Sequence, residues 1–340
     1  MQETRALIPA LPVTKPRERA FAWSRILVSA LLLGIILLGG YLRYVGLNWD
    51  DFTHLHPDER FLTQVVSSLN GRTLSPSKGS EEERRAQLRA CLERYPETNG
   101  VGGFFDTACS TLNPHNVGYG LYVYGTLPLF IARGAAELFA PISQWHAREV
   151  VYPQTGDPLW ANYNGNYWLS YDGIHLVWRF LSAAAEMGCI FIAFLIGRRL
   201  HDQWVGLLAA AFYSVTVFSI QIAHFATVDA MSSFFTALAL LFAVAVQRGG
   251  GFGNYLGFGL AFGCALASRI NLAPLAGVII LAAGMWALPA FDSRMPAGER
   301  RRMIASAVIG LIASGLVSIL VFRLGNPYAF AGSEFFNLFP

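Results

Sequence analysis

"RILVSALLLGIILLGGYLRYVGLNWDDFTHLHPDERF" (residues 25–61) decides how this chain is read. Its first part, Ile26–Leu42, is an unbroken apolar run. Its second part carries four acids, Asp50, Asp51, Asp58 and Glu59, together with His54 and His56. Lys15, Arg17, Arg19 and Arg25 precede the run, no small-residue cleavage site follows it, and Arg43, Tyr44 and Trp49 read as interfacial anchors. The pattern predicts an uncleaved signal-anchor helix, with a short N-terminal tail over 1–25 on the cytoplasmic side. Paired carboxylates directly after a membrane helix can bind a metal, take a proton from a nucleophile, or simply be hydrated. Which of these holds depends on the side of the membrane they face.

Composition extends the reading to the whole chain. Of 340 residues, 54% are hydrophobic and only 14% charged, and the mean hydropathy is +0.41. A soluble domain carries roughly a quarter charged residues. Apolar runs recur at Phe180–Gly197, Trp204–Ala223, Ala230–Val246, Gly253–Ala267, Leu272–Ala290 and Met303–Phe322, which predicts an all-α polytopic membrane protein. The net charge of +3 is small, and no basic patch interleaved with aromatics suggests nucleic acid.

One segment is ambiguous. "VGYGLYVYGTLPLFIARGAAELFAPI" (117–142) is aromatic-rich but interrupted by Pro128, Arg133 and Glu137. The basic clusters arbitrate: the N-terminus, "GRRLHD" (197–202), Arg248 and "SRMPAGERRRM" (293–303) all fall on the cytoplasmic side only if 117–142 does not span. Seven spans follow, and 117–142 is expected to be an amphipathic or re-entrant segment on the outer face. Residues 47–173 then form one large exoplasmic loop. Within it "EEERRAQLRACLERY" (81–95) reads as a surface helix with an apolar stripe of Leu88, Cys91, Leu92 and Tyr95. "YNGNYWLSYDG" (163–173) suits an interfacial surface. Cys91 and Cys109 lie in this polar stretch, where an oxidising exterior would permit a disulfide; Cys189 and Cys264 read as packing residues in spans.

The candidate chemical groups collect at the outer ends of the spans. Asp58 and Glu59 follow the first. Asp229, in "QIAHFATVDAMSSFF" (221–235), lies in a short and otherwise apolar connection beside His224. Arg269, in "ALASRINLAPL" (265–275), and Arg179 stand at two further outer ends, where they could snorkel to lipid headgroups or hold a lipid phosphate through charge-assisted hydrogen bonds. Glu186 falls inside a span, where an ionisable group is costly. His54, His56 and Asp58 could ligate a metal, but no second histidine cluster completes a site. "GGGFGNYLG" (249–257) has no strand ahead of it and does not read as a phosphate loop; Gly259 and Gly263 fit close helix packing.

The exoplasmic "HPDE" (56–59), the long loop, and "WRFLSAAAEMGCIFIAFLIGRRLHDQWVGLLAAAFYSVTVFSIQIAHFATVDAMSSFFTALALLF" (178–242) together resemble the GT-C superfamily of polyprenyl-phosphate-sugar-dependent glycosyltransferases. The protein O-mannosyltransferase (glycosyltransferase family 39) and aminoarabinose-transferase branches are the nearest. "NPHNVGYGLYVYGTLPLF" (113–130) and "NPYAF" (326–330) resemble bacterial, Chloroflexi-like members. The resemblance covers roughly residues 22–330 and implies a GT-C-like transmembrane domain over 26–340. It implies a sugar moved from a polyprenyl-phosphate donor to a lipid, glycan or protein acceptor at the outer face of a bacterial plasma membrane. Residue by residue, it makes Asp58 the base, Glu59 its companion and Asp229 the second acid. Arg269 becomes the contact to the lipid phosphate, with Arg179 and His224 as further donor-side candidates; His56 stays undecided. The second acidic motif is a single Asp rather than D-x-D, as in the metal-independent branches, so no cofactor is called for. Family members usually run well beyond 340 residues, so the chain, which stops at "FFNLFP", is expected to be a fragment or a truncated product. A transporter or flippase, and a non-catalytic membrane assembly protein, remain open as other classes.

Overall fold

The computed structural model describes residues 16–69 and 71–336, with side chains from residue 25 onward; most of the expected tail and residues 337–340 lie outside this range. Every named element is helical. α1 (Pro16–Tyr44) leads into a turn, followed by α2 (Pro57–Ser68), α3 (Glu81–Arg94), α4 (Leu127–His146), and the short α5 (Tyr152–Thr155) and α6 (Pro158–Ala161). The bundle continues with α7 (Tyr171–Leu200), α8 (Gln203–Ser214), α9 (Val217–Ala223), α10 (Asp229–Gly249), α11 (Phe252–Ser268), α12 (Ala276–Ala287) and α13 (Ala297–Gly325).

Among the described residues, five helical runs are long and apolar enough to cross a membrane: Arg25–Tyr44, Tyr171–Leu200, Asp229–Gly249, Ile270–Phe291 and Ala297–Gly325. The bent pair α8 and α9 makes a sixth, and α11, with 17 residues, is a shorter apolar helix. These seven segments are the expected seven. Their boundaries shift where polar residues share a helix with the apolar run: α7 begins at Tyr171, nine residues before the expected Phe180, so the loop ends at Ser170 rather than at 173. α4 is not among the spanning runs. Arg133 pairs with Glu137 on it at 2.8 Å, and Leu138, Ile142 and Trp145 are left exposed.

The expected single span Trp204–Ala223 is in fact broken, with α9 bent 60° from α8. The β-branched run Val215–Thr216–Val217 crowds a helical turn, and Thr216 is extended (φ −65°, ψ 114°). A break inside a membrane exposes carbonyl groups that must be satisfied by protein. Arg43 satisfies them: its guanidinium donates to Ser214 O (2.9 Å), Tyr213 O (3.2 Å) and Gly39 O (3.1 Å). It also donates to Ser219 Oγ, which in turn donates to Glu186 Oε2 (2.7 Å), the acceptor for Tyr213 Oη–H as well (2.9 Å). Arg43 is therefore fully buried and stitches the break, and is not the interfacial anchor expected of it.

Close helix packing at the glycines holds. A Cβ at Gly259 would lie 2.5 Å from Ser314 O, and one at Gly263 2.8 Å from Ser318 O, so α11 and α13 touch backbone to backbone. Successive helices run up and down, placing Arg198, Arg199, Arg248 and Arg300–Arg302 at one end of the bundle and residues 45–170 at the other. A core of Leu62, Val66, Leu129, Trp178, Val228 and Met231 fastens α2 and α4 of the loop onto α7 and α10. In the lobe formed by residues 45–170, Cys91 and Cys109 form a disulfide.

Candidate active site

α2 is where the acid pair parts company. Pro57 opens the helix with its fixed φ, and His56 caps it, its Nδ1 accepting from Glu59 N at 3.3 Å. Glu59, Leu62, Thr63 and Val66 follow the spacing of one helical face, and all are buried. Asp58, one residue earlier and about 100° away round the helix, is exposed.

Glu59 reaches α7. Its Oε1 and Oε2 accept from Arg179 Nε (2.6 Å) and Nη2 (2.8 Å), while Asp50 accepts from Nη1 (3.0 Å) and Nη2 (2.9 Å). Leu47 O takes a further bond at 2.7 Å, and the Trp49 ring covers the guanidinium at 5.5 Å. All three charged groups are shut off from solvent. Burial alone would push the Asp50 carboxyl up, but the hydrogen bonds and charge of Arg179, with the Leu55 N–H, hold it below the ordinary carboxylate value. Arg179 thus has no free edge for a phosphate, contrary to its expected role. Nor does His224, whose Nδ1 and Nε2 lie against Ile220 O (2.8 Å) and Val45 O (2.9 Å). Glu59 Oε1 also accepts from Ala226 N (2.9 Å), and α7 grips the same turn through Trp178 Nε1 to Thr227 O (3.1 Å) and Ser182 Oγ to Phe225 O (2.9 Å). These bonds fix residues 225–228 and so the start of α10, where Asp229 stands.

Asp229 pairs with Arg269 at 2.8 Å, and both are about one-third exposed. Arg269 also lies over the Tyr124 ring, 5.8 Å from its centroid. Burial raises the Tyr124 hydroxyl above its usual pKa; the nearby charges of Asp58 and Asp229 add to this, and Arg269 opposes it. Four separate segments therefore meet in one half-open cluster: Asp58 from α2, Tyr124 from the loop before α4, Asp229 from α10 and Arg269 after α11. Gly125 makes the meeting possible. Its N–H donates to Ser268 O (3.0 Å), and a Cβ there would sit 1.9 Å from Ala267 O.

The turn preceding α2 is strained, with Asp51, Phe52 and His54 at φ of 45°, 64° and 50°. His54 is buried between Tyr171 and His175, at 4.0 and 4.3 Å between ring centroids, and lies 3.5 Å from Asp172. Among the described residues no group of three or more histidine, cysteine or acidic side chains is placed to hold a metal. Tyr124, Asp50 and His175 were not singled out in the sequence. The only sign of Tyr124 was its place beside a glycine in "YVYGTLPLF".

The helical bundle has a GT-C-like membrane fold, shared with a solved structure. The structure of the S. cerevisiae protein O-mannosyltransferase Pmt1-Pmt2 complex bound to the sugar donor is similar, with a TM-score of 0.54 and 14% sequence identity, over 90% of this chain. The chain spans about a third (34%) of the length of that relative. Residues 174–317 match the family model of dolichyl-phosphate-mannose-protein mannosyltransferases. That stretch holds Asp229 and Arg269 and leaves out Asp58 and Tyr124. No curated protein matches the sequence.

Proposed function

We propose that this chain is a membrane glycosyltransferase that moves a sugar from a polyprenyl-phosphate donor to an acceptor hydroxyl at the exoplasmic face. The observation that carries the reading is the convergence of Asp58, Tyr124, Asp229 and Arg269 at the loop end of the bundle. Asp58, solvated and free of a saturating cation, accepts the acceptor's proton. The acceptor oxygen attacks the anomeric carbon, the bond from that carbon to the phosphate oxygen breaks, and the lipid phosphate leaves with the electron pair. One displacement inverts the anomeric centre. Arg269 stabilises the charge gathering on the leaving phosphate, and Asp229 aims the guanidinium until the donor arrives. Tyr124 holds Asp58 and Arg269 in register. Glu59 belongs to the Arg179 clamp beneath, so its contribution is to position α2. The basic end of the bundle is cytoplasmic and the loop exoplasmic, as the distribution of Lys and Arg favours.

A transporter would need open polar groups across the bundle. Glu186, midway along α7, and Arg43, in the last turn of α1, are instead engaged at the α8–α9 break. The test uses purified protein in lipid with polyprenyl-phosphate-linked mannose as the first donor, given the family match, then other sugars. Asp58→Asn should lower the transfer rate by about 10²–10⁴-fold while donor binding persists. Arg269→Gln should weaken donor binding. If Asp58→Asn transfers sugar at the wild-type rate, the base assignment is wrong; if no sugar lipid binds or is consumed, the reading fails.

A further inference from the structure

The outer lobe holds a second cavity, of about 480 Å³, built by elements that take no part in the Asp58 cluster. One wall is α3, which presents Arg94 and Gln87. Another is the strand-like pairing of 75–77 with 115–117, which presents Lys78 and His115, and the last is the segment 328–333 after α13. The frame is tied at several points. The Cys91–Cys109 disulfide joins α3 to the floor, Asn113 and Asn116 donate to Thr107 O (2.8 and 3.0 Å), and Thr107 N donates to Gly332 O (3.0 Å).

The charges inside are not balanced. Asp106, the one carboxylate of the lining, is buried and fully used: Oδ1 accepts from the amides of Ala108 and Cys109, both at 3.0 Å, and Oδ2 from Tyr95 Oη–H (2.9 Å) and Arg94 (3.3 Å). Arg94 spends one N–H on it and keeps the rest, its side chain about half exposed. The Lys78 ammonium has no carboxylate partner among the described residues. Two cations with spare donors therefore face a cavity with no spare anion. The neighbouring walls are amide and hydroxyl groups, and the only aliphatic side chains are those of two alanines, Ala108 and Ala331. The Tyr328 ring adds an apolar face, and Gln87 and Asn116 spend their amide N–H groups within the frame, so the polar groups left open are the two cations, the Gln87 carbonyl oxygen and the Ser333 hydroxyl.

We infer that this cavity binds an anionic saccharide, its carboxylate or phosphate held by Lys78 and Arg94 and its hydroxyls donating to the Gln87 carbonyl oxygen and meeting Ser333. His115 agrees with this geometry: burial and the nearby Lys78 lower its pKa, so at neutral pH its ring takes part as a hydrogen-bonding group rather than as a third cation. The name acceptor site for this cavity rests on the transferase reading; the binding itself does not.

Calorimetry on the full chain in lipid nanodiscs decides the matter, with a galacturonic acid trisaccharide, a galactose trisaccharide, a sugar phosphate and inorganic phosphate as probes. The acidic trisaccharide or the sugar phosphate should bind at least about tenfold more tightly than the neutral trisaccharide, and the stronger of the two names the anion. Binding should weaken as salt rises from about 50 to about 300 mM. Lys78→Glu, an exposed change that leaves the fold intact, should weaken binding at least about tenfold, with Lys78→Ala between. Asp58→Asn should bind the saccharide as the wild type does, so failure of the transferase chemistry leaves this result readable. Four results overturn the proposal: neutral and acidic trisaccharides bind equally, inorganic phosphate alone binds as tightly as the saccharides, Lys78→Glu changes nothing, or no probe binds.

Discussion

Asp58 and Glu59 are neighbours in sequence and opposites in environment. Helical spacing alone did not show the difference, because Asp58, four residues before Leu62 and seven before Val65, lies about as near the buried face as Glu59 does. The ion pairing was not legible, since Arg179 lies 120 residues away and read as a headgroup contact. Breaking a buried pair strands a charge, at a cost of about 3–5 kcal/mol. Glu59→Gln should accordingly lower thermal stability sharply, whereas Asp58→Asn should leave the melting temperature nearly unchanged and abolish transfer. Differential scanning fluorimetry beside a transfer assay checks both, and equal melting losses would refute the division of roles. His115 adds a pH dependence. Its pKa in the folded protein is lowered, so the unfolded chain takes the proton first, near the usual value of about 6.5. Stability contributed there is complete above that pH and falls as pH drops below it. His115→Gln should flatten melting temperature against pH between about 6.5 and 5 relative to wild type.

At the scale of elements, the loop before α4 matters more than its composition suggests. It is strapped to the bundle by Gly125 N to Ser268 O and Thr126 Oγ1 to Gly325 O (2.8 Å), and braced within itself by Tyr122 Oη to Gly125 O (2.7 Å). Gly125→Ala places a methyl group against Ala267 O and must push the loop off the end of α11. The expected result is a drop in transfer of about tenfold or more, since small misplacements cost that much, with the bundle still folded. Normal activity in that variant would show that Tyr124 and Arg269 need no fixed relation. The disulfide acts on the outer lobe: closing a segment of 18 residues contributes about 3 kcal/mol. The seven apolar segments were all visible in the sequence because each is a sustained apolar run with no charge inside it except Glu186. The break at 215–216 was hidden, because nothing local distinguishes Arg43 as the partner of carbonyls some 170 residues on.

At the scale of the whole molecule, the orientation proposed above puts the loop outside and the basic end of the bundle in the cytoplasm. Single cysteines introduced at the exposed Asp157 and Arg301 should be labelled by an impermeant thiol reagent from opposite sides, Asp157 from outside. Labelling of both from one side would overturn the topology. The length of α11 then acquires a meaning of its own. Its 17 residues rise only about 25 Å, less than a hydrocarbon layer about 30 Å thick. Either the bilayer thins around it or its end lies below the headgroup plane. In both cases a lipid phosphate drawn to Arg269 descends into a poorer dielectric, where the same charges attract more strongly. Membrane thickness becomes a variable of the chemistry: in phosphatidylcholines of increasing chain length, transfer should slow as the dip the donor must enter deepens.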